Sequence, residues 1–203
     1  MVDDGQTGEF PLLERYTELI EDACGQVYPG RPVTRQLSPE DGSPFAGGIV
    51  ITRGEDHWSL VTAGLGLPTR TPREAGYSGR GIELSIKVDL DALDPRSDDP
   101  PWAFGLLARL ADYVEETDTV LLPGARIRSP GPLGGDPAEP AHNLLFTSDR
   151  VLRTIDGPPG RIDLVQVVPA TDEELARAET FSTSAVVDTL AEDNPLLIAR
   201  LYR

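Results

Sequence analysis

Between Gly81 and Val88, apolar Ile82, Leu84, Ile86 and Val88 alternate with polar Glu83, Ser85 and Lys87. Successive side chains of an extended chain point to opposite faces, so this period of two predicts a half-buried strand. Such a strand belongs to a sheet, and its apolar face needs a cover. Trp102, Leu106, Leu107, Leu110, Ala111 and Val114 recur at the spacing of one helix face and can supply it. Asp98 and Asp99 precede that helix, where negative charge complements the positive end of its dipole.

Leu12 to Val27 reads as an amphipathic helix, stopped by Pro29-Gly30. Residues 35–48 read as a loop. Ile49-Val50-Ile51 and Trp58 to Ala63 read as strands around a turn at Arg53–Asp56. Gly64 to Gly81 and Pro123 to Ala141 are rich in Gly and Pro and predict long loops, with a strand at Thr119–Leu122. Further strands are expected at Asn143–Thr147 and Ile162–Val168. Thr171 and Glu174 form a capping box opening a helix to about Phe181, and another helix covers Ala185–Ala191. Residues 195–203 predict a short strand or helix. Strands dominate between flanking helices, which implies an α+β fold with a mixed, largely antiparallel sheet. The expected core includes Leu60, Ile82, Leu84, Leu107, Leu110, Val165 and Val167. The expected division is a flexible N-terminus, 1–9, and a single domain, 10–203.

Charge restricts the partners. With 18 basic and 34 acidic residues the chain carries −16 and a pI near 4.4. That field repels a phosphate backbone, so direct nucleic-acid binding is not expected, and it disfavours anionic membranes. It favours encounter with a cationic protein, although the same acidity also serves solubility. Cys24, the one cysteine, falls among Leu13, Tyr16, Leu19, Ile20 and Val27 at helical spacing and reads as a small core residue. Asp3, Asp4 and Glu9 are the opposite of a signal peptide, and no apolar run approaches the roughly 20 residues of a membrane span. A cytoplasmic location is expected.

Catalytic and metal sites require particular residues at set spacings. His57 and His142, each combined with acidic residues, offer the one enzyme alternative, a hydrolytic or metal-dependent site. Asp89 to Asp94 starts like a calcium loop, but Asp94 stands where Gly is needed and Pro100 where Glu is needed. Gly76-Tyr77-Ser78-Gly79-Arg80 lacks the final Gly of a nucleophile elbow, and Gly64-Leu65-Gly66 lacks the third Gly of a dinucleotide loop. The expectation is therefore no catalytic residue, no cofactor and no metal. Trp58 and Trp102 fall on apolar faces and read as core, whereas Tyr113, beside the stripe and next to Asp112, reads as reaching the surface.

Five short motifs run in order: His57-Trp58-Ser59-Leu60-Val61-Thr62 with Gly64-Leu65; Gly81-Ile82-Glu83-Leu84-Ser85-Ile86; Pro100-Pro101-Trp102-Ala103 leading to Leu107–Val114; Leu164-Val165-Gln166-Val167-Val168; and Thr171-Asp172-Glu173-Glu174-Leu175. This train resembles the Suppressor of fused domain family. The resemblance implies a protein-binding fold rather than an enzyme. Eukaryotic members restrain Gli-type transcription factors and carry a further C-terminal domain, and this chain ends near the family's first domain. Stand-alone bacterial members are regarded as immunity proteins of polymorphic toxin systems, so the resemblance implies a cytoplasmic protein that binds and occludes a toxin. Tyr113 matches a Tyr of the family's Ala-Arg-Tyr-Val motif, with Asp112 in place of Arg. Asp149 matches an acid after the strand Leu144-Leu145-Phe146-Thr147. With the neighbouring acids Glu115 and Glu116, these are the expected partner contacts. Ala125 stands where eukaryotic members carry an acid, which departs from recognition of a Gli-like peptide.

Overall fold

A computed structural model describes residues 9–36, 45–69, 72–92 and 102–202. The first element is helix α1 (Glu9–Val27), which runs through the predicted span. Strands β1 (Val33–Gln36), β2 (Gly48–Arg53), β3 (His57–Ala63) and β4 (Tyr77–Asp89) follow. A 3-10 turn, Leu90–Ala92, closes β4. Helix α2 (Trp102–Thr117) precedes β5 (Arg126–Ile127), β6 (Asn143–Ser148), β7 (Thr154–Gly157) and β8 (Gly160–Ala170). Helices α3 (Asp172–Thr180) and α4 (Thr183–Asp193) complete the order. The sheet runs β1-β2-β3-β4-β8-β6-β5, with β7 paired to β8 beside β6. Every pairing is antiparallel except the central β4–β8, which is parallel. The fold is thus α+β with a mixed, largely antiparallel sheet, as expected.

The two faces of the sheet are packed differently. Ile82, Leu84, Ile86 and Val88 join Leu60, Val165 and Phe146 under the apolar stripe of α2. All seven residues expected in the core are buried. On the opposite face, α1 covers one half through Tyr16, Ile20 and Cys24, packed on Val50, Val61 and Leu164. Helices α3 and α4 cover the other half through Leu175, Val186 and Val187, packed on Leu145 and Val168. Between these two apolar patches lies a strip of polar side chains from β4 and β8. The Thr171 capping box is present, with Glu174 N donating to the Thr171 hydroxyl and Thr171 N to the Glu174 carboxylate.

Four sequence expectations are corrected. Strand β4 is buried on both faces, because it sits at the centre of the sheet and the α1 and α3–α4 sides close over its polar residues. It also starts at Tyr77, inside the stretch read as loop, since Gly79 and Gly81 occupy positive φ within an irregular strand pairing. Thr119–Leu122 is not a strand. Asp118 at φ 57 turns the chain out of α2, and Leu121 reaches the core from irregular backbone. Strand β1 runs into the stretch 35–48 read as loop, and β7 falls between the expected strands 143–147 and 162–168; both are too short and too polar to show a period. Asp98, Asp99 and most of the Asp89–Pro100 run lie outside the described residues.

Candidate functional site

The polar residues of β4 build two separate buried networks. At one end, the Glu83 carboxylate accepts from the Tyr16 hydroxyl at 2.7 Å and from Gly64 N and Gly66 N at 2.9 Å each. It also accepts from the Thr62 hydroxyl. Gly66 has to be glycine here, since a Cβ would lie 2.1 Å from the Tyr16 hydroxyl oxygen. The Gly64-Leu65-Gly66 motif is therefore a carboxylate cradle. Burial pushes the Glu83 carboxyl from 4.5 up to about 7, against the pull of its four donors. Between those values the folded chain binds the extra proton, so Glu83's contribution is full below pH 4.5 and is lost as pH rises through 7. We expect Glu83→Gln to flatten the fall in denaturation midpoint between about pH 5 and pH 8. Parallel pH profiles for the two proteins would show that Glu83 does not titrate there.

Toward the other end, Lys87 and Asp149 form an ion pair at 2.6 Å with both side chains 0% exposed. Ser85 donates to the same carboxylate oxygen, also at 2.6 Å. Lys87 donates further to the Gln166 side-chain oxygen at 3.0 Å, and Gln166 Nε2 donates to Leu196 O and Leu197 O. The C-terminal segment is thereby tied to the sheet centre, where Val88 also bridges Ala199 in parallel. Burial lowers the Lys87 pKa, with Asp149 opposing it; for Asp149, burial pushes upward and the Lys87 charge outweighs it, holding the carboxyl below its ordinary range.

The other Asp149 oxygen shapes a loop. It accepts from Val151 N at 2.8 Å and Leu152 N at 2.9 Å. Along one edge β8 changes partner, from β7 at Asp163 to β6 at Val165. Residues 149–153 span that break, and Leu164 holds both ends. Asp149 N donates to Leu164 O and Leu164 N donates to Arg153 O, each at 2.8 Å. Leu152 is buried and Val151 packs beside it against the α1 cluster, while Arg150 and Arg153 face outward. Arg153 is held at φ 51.

Over this loop opens a cleft of about 700 Å³, with Thr147, Arg150, Arg153, Thr154, Arg161 and Asp163 in its wall. Arg150 pairs with Asp188 at 3.1 Å and Arg161 with Asp163 at 2.9 Å. Partial burial raises the Asp163 pKa, but Arg161, Thr154 and Arg73 outweigh it and hold the carboxyl low. Neither Arg153 nor this cleft was singled out in the sequence. Arginines at a strand break carry no periodic signal.

The four expected contact residues do not form one exposed face. Tyr113 is 41% exposed on α2 and Glu116 is exposed beside it. The Glu115 side chain is only 4% exposed and lies 3.8 Å from Arg80, which also pairs with Asp118. Asp149 is wholly internal, so it acts on the surface only through its loop. His57 is buried, 2.8 Å from Asp56 and edge-on to Tyr28. His142 lies 3.5 Å from Asp172, on another element. Among the described residues no three His, Cys, Asp or Glu side chains converge on a point. Burial pushes the Cys24 thiol up to about 12, as suits a core cysteine. No helix among the described residues is long and apolar enough to cross a membrane.

The family profile described as Suppressor of fused protein (SUFU) matches residues 44–203. The chain belongs to the Suppressor of fused family. The human and mouse Suppressor of fused homologues are each 26% identical over 196 residues, an alignment covering 84% of this chain. It spans 39% of the length of those relatives. Drosophila Suppressor of Fused superposes with a TM-score of 0.77 at 26% identity, covering 93% of this chain and 50% of that one. The crystal structure of a Sufu–Fu complex contains a chain that matches at TM-score 0.76 and 25% identity, covering 92% and 89%. A structure described as a SUFU homologue from Neisseria gonorrhoeae shares the fold at TM-score 0.64 and 12% identity, covering 96% of each.

Proposed function

We propose that this chain is a non-catalytic protein-binding domain, and specifically a bacterial immunity protein that binds a cognate toxin in the cytoplasm and occludes it. The observation that carries the protein-binding part is the likeness, over 92% of this chain, to a chain of the Sufu–Fu complex. The internal chemistry supports it. Glu83, Lys87 and Asp149 are buried and engaged with neighbours of the same fold, as structural charges are. The toxin identity rests on the family's stand-alone bacterial members, and the charge of −16 suits a partner with a basic cleft. Acidic side chains would then mimic phosphate, speeding encounter and covering the cleft without any reaction.

The test uses the product of the gene adjacent to this chain's own, with the association rate measured across a salt series. Steering predicts an on-rate that falls steeply with salt, since about 8 Å of screening length at physiological strength already weakens exposed charges. Glu116→Lys should flatten the slope. Glu115 is not suited to this test, because reversing it would break its contact with Arg80. A salt-independent rate would remove the electrostatic mechanism, and absence of binding would remove the toxin identity.

A further inference from the structure

We propose that the cleft above the 149–153 loop is a receptor for carboxylate side chains, and that it seats an acidic segment of a polypeptide partner with Arg153 as its central contact. The proposal rests on the protein-binding reading only in placing the carboxylates on a polypeptide.

Arg153 sits at φ 51, a left-handed geometry that suits glycine and disfavours side chains with a Cβ. The geometry is imposed by the fold, since Arg153 O must accept from Leu164 N to return the chain to β8. Glycine would meet that demand without strain. The chain instead carries an exposed arginine there, and among the described residues no carboxylate pairs with it. Strain of this kind, retained where a simpler residue would serve, points toward a role for the side chain.

The surroundings give the chemistry. Asp149 sets the loop from below but is neutralised by Lys87, so its charge is not presented to the cleft. The two arginines that flank Arg153 already hold carboxylates, Asp188 on Arg150 and Asp163 on Arg161. Both remain partly open, at 34% and 50% exposure, so each guanidinium fork keeps donors for another acceptor. Thr154 adds a hydroxyl within reach of Arg161 and Asp163. The guanidiniums are spread around an open cleft of about 700 Å³, which suits several carboxylates in sequence. The overall charge of −16 opposes a long polyanion. It does not prevent short-range seating of a few carboxylates, because physiological salt screens the rest of the surface beyond about 8 Å.

The probe is a blocked hexaglutamate peptide, titrated into the full chain by calorimetry in about 0.15 M salt. Blocked hexaglutamine and inorganic phosphate are the comparators. Hexaglutamate is expected to bind and hexaglutamine not. Arg153→Gly should weaken binding by about tenfold or more, the loss of a charge-assisted bidentate contact. Its melting temperature should hold or rise, because glycine relieves the left-handed strain. That separates a lost contact from a damaged fold. Arg109→Ala, an exposed arginine on α2, should leave affinity unchanged. The proposal is overturned if hexaglutamate does not bind, if phosphate alone binds, or if Arg109→Ala weakens binding as much as Arg153→Gly. Failure of partner binding with hexaglutamate still bound would instead remove the protein-binding reading.

Discussion

Replacing Asp149 by alanine should destabilise the protein by about 3–5 kcal/mol, the cost of leaving a buried charge without its counter-ion. Lys87 and Asp149 are both 0% exposed, so water cannot take the place of the missing carboxylate without opening the sheet. Four donors converge on Asp149, namely Ser85, Lys87, Val151 N and Leu152 N, and all lose their acceptor together. Much of the loss should belong to Lys87 rather than to the pair. Adding Lys87→Met in the Asp149→Ala background should therefore recover part of the stability, as apolar replacements of buried pairs often do. Urea denaturation of Asp149→Ala, of Lys87→Met and of the double variant measures the coupling directly. A loss below about 1 kcal/mol for Asp149→Ala would mean that solvent reaches Lys87 and the site is not closed.

The second large effect is expected at Leu107. It is wholly buried where α2 crosses the central strands, in the cluster that includes Leu84, Ile86 and Val165. Leu107→Ala should cost about 2–5 kcal/mol, combining lost transfer energy with the cavity left behind. Glu116→Ala, on the exposed side of the same helix, should stay within about 0.5 kcal/mol. Chemical denaturation of both variants checks the pair. Equal effects would mean that α2 is not held by its apolar stripe.

Legibility in the sequence followed the range of the physics involved. The stripe of α2, the alternation of β4 and the Thr171 capping box are local patterns, set by helical or strand geometry within a few residues. They were readable for that reason, and the α+β class followed from their order. Strand β7 was missed because four residues, Thr154–Gly157, are too few to show a period. Asp149 was legible as a notable acid only through family resemblance, and its burial keeps its side chain from the direct partner contact expected of it.

What the chain determined by itself was which faces must be hidden: apolar side chains at spacings of two and of three to four have no other stable outcome in water. What only tertiary structure decided was what happens to the polar face of β4. Sheet order puts β4 at the centre and beside β8 in parallel, so Glu83, Ser85 and Lys87 are buried along with the apolar face. Burial then requires partners for those groups, and the fold brings them from far away, Tyr16 across 67 positions and Asp149 across 62. The Arg153 cleft has the same origin. It exists because β8 exchanges one neighbour for another at Leu164, a change of hydrogen-bond partner that no local pattern of residues encodes.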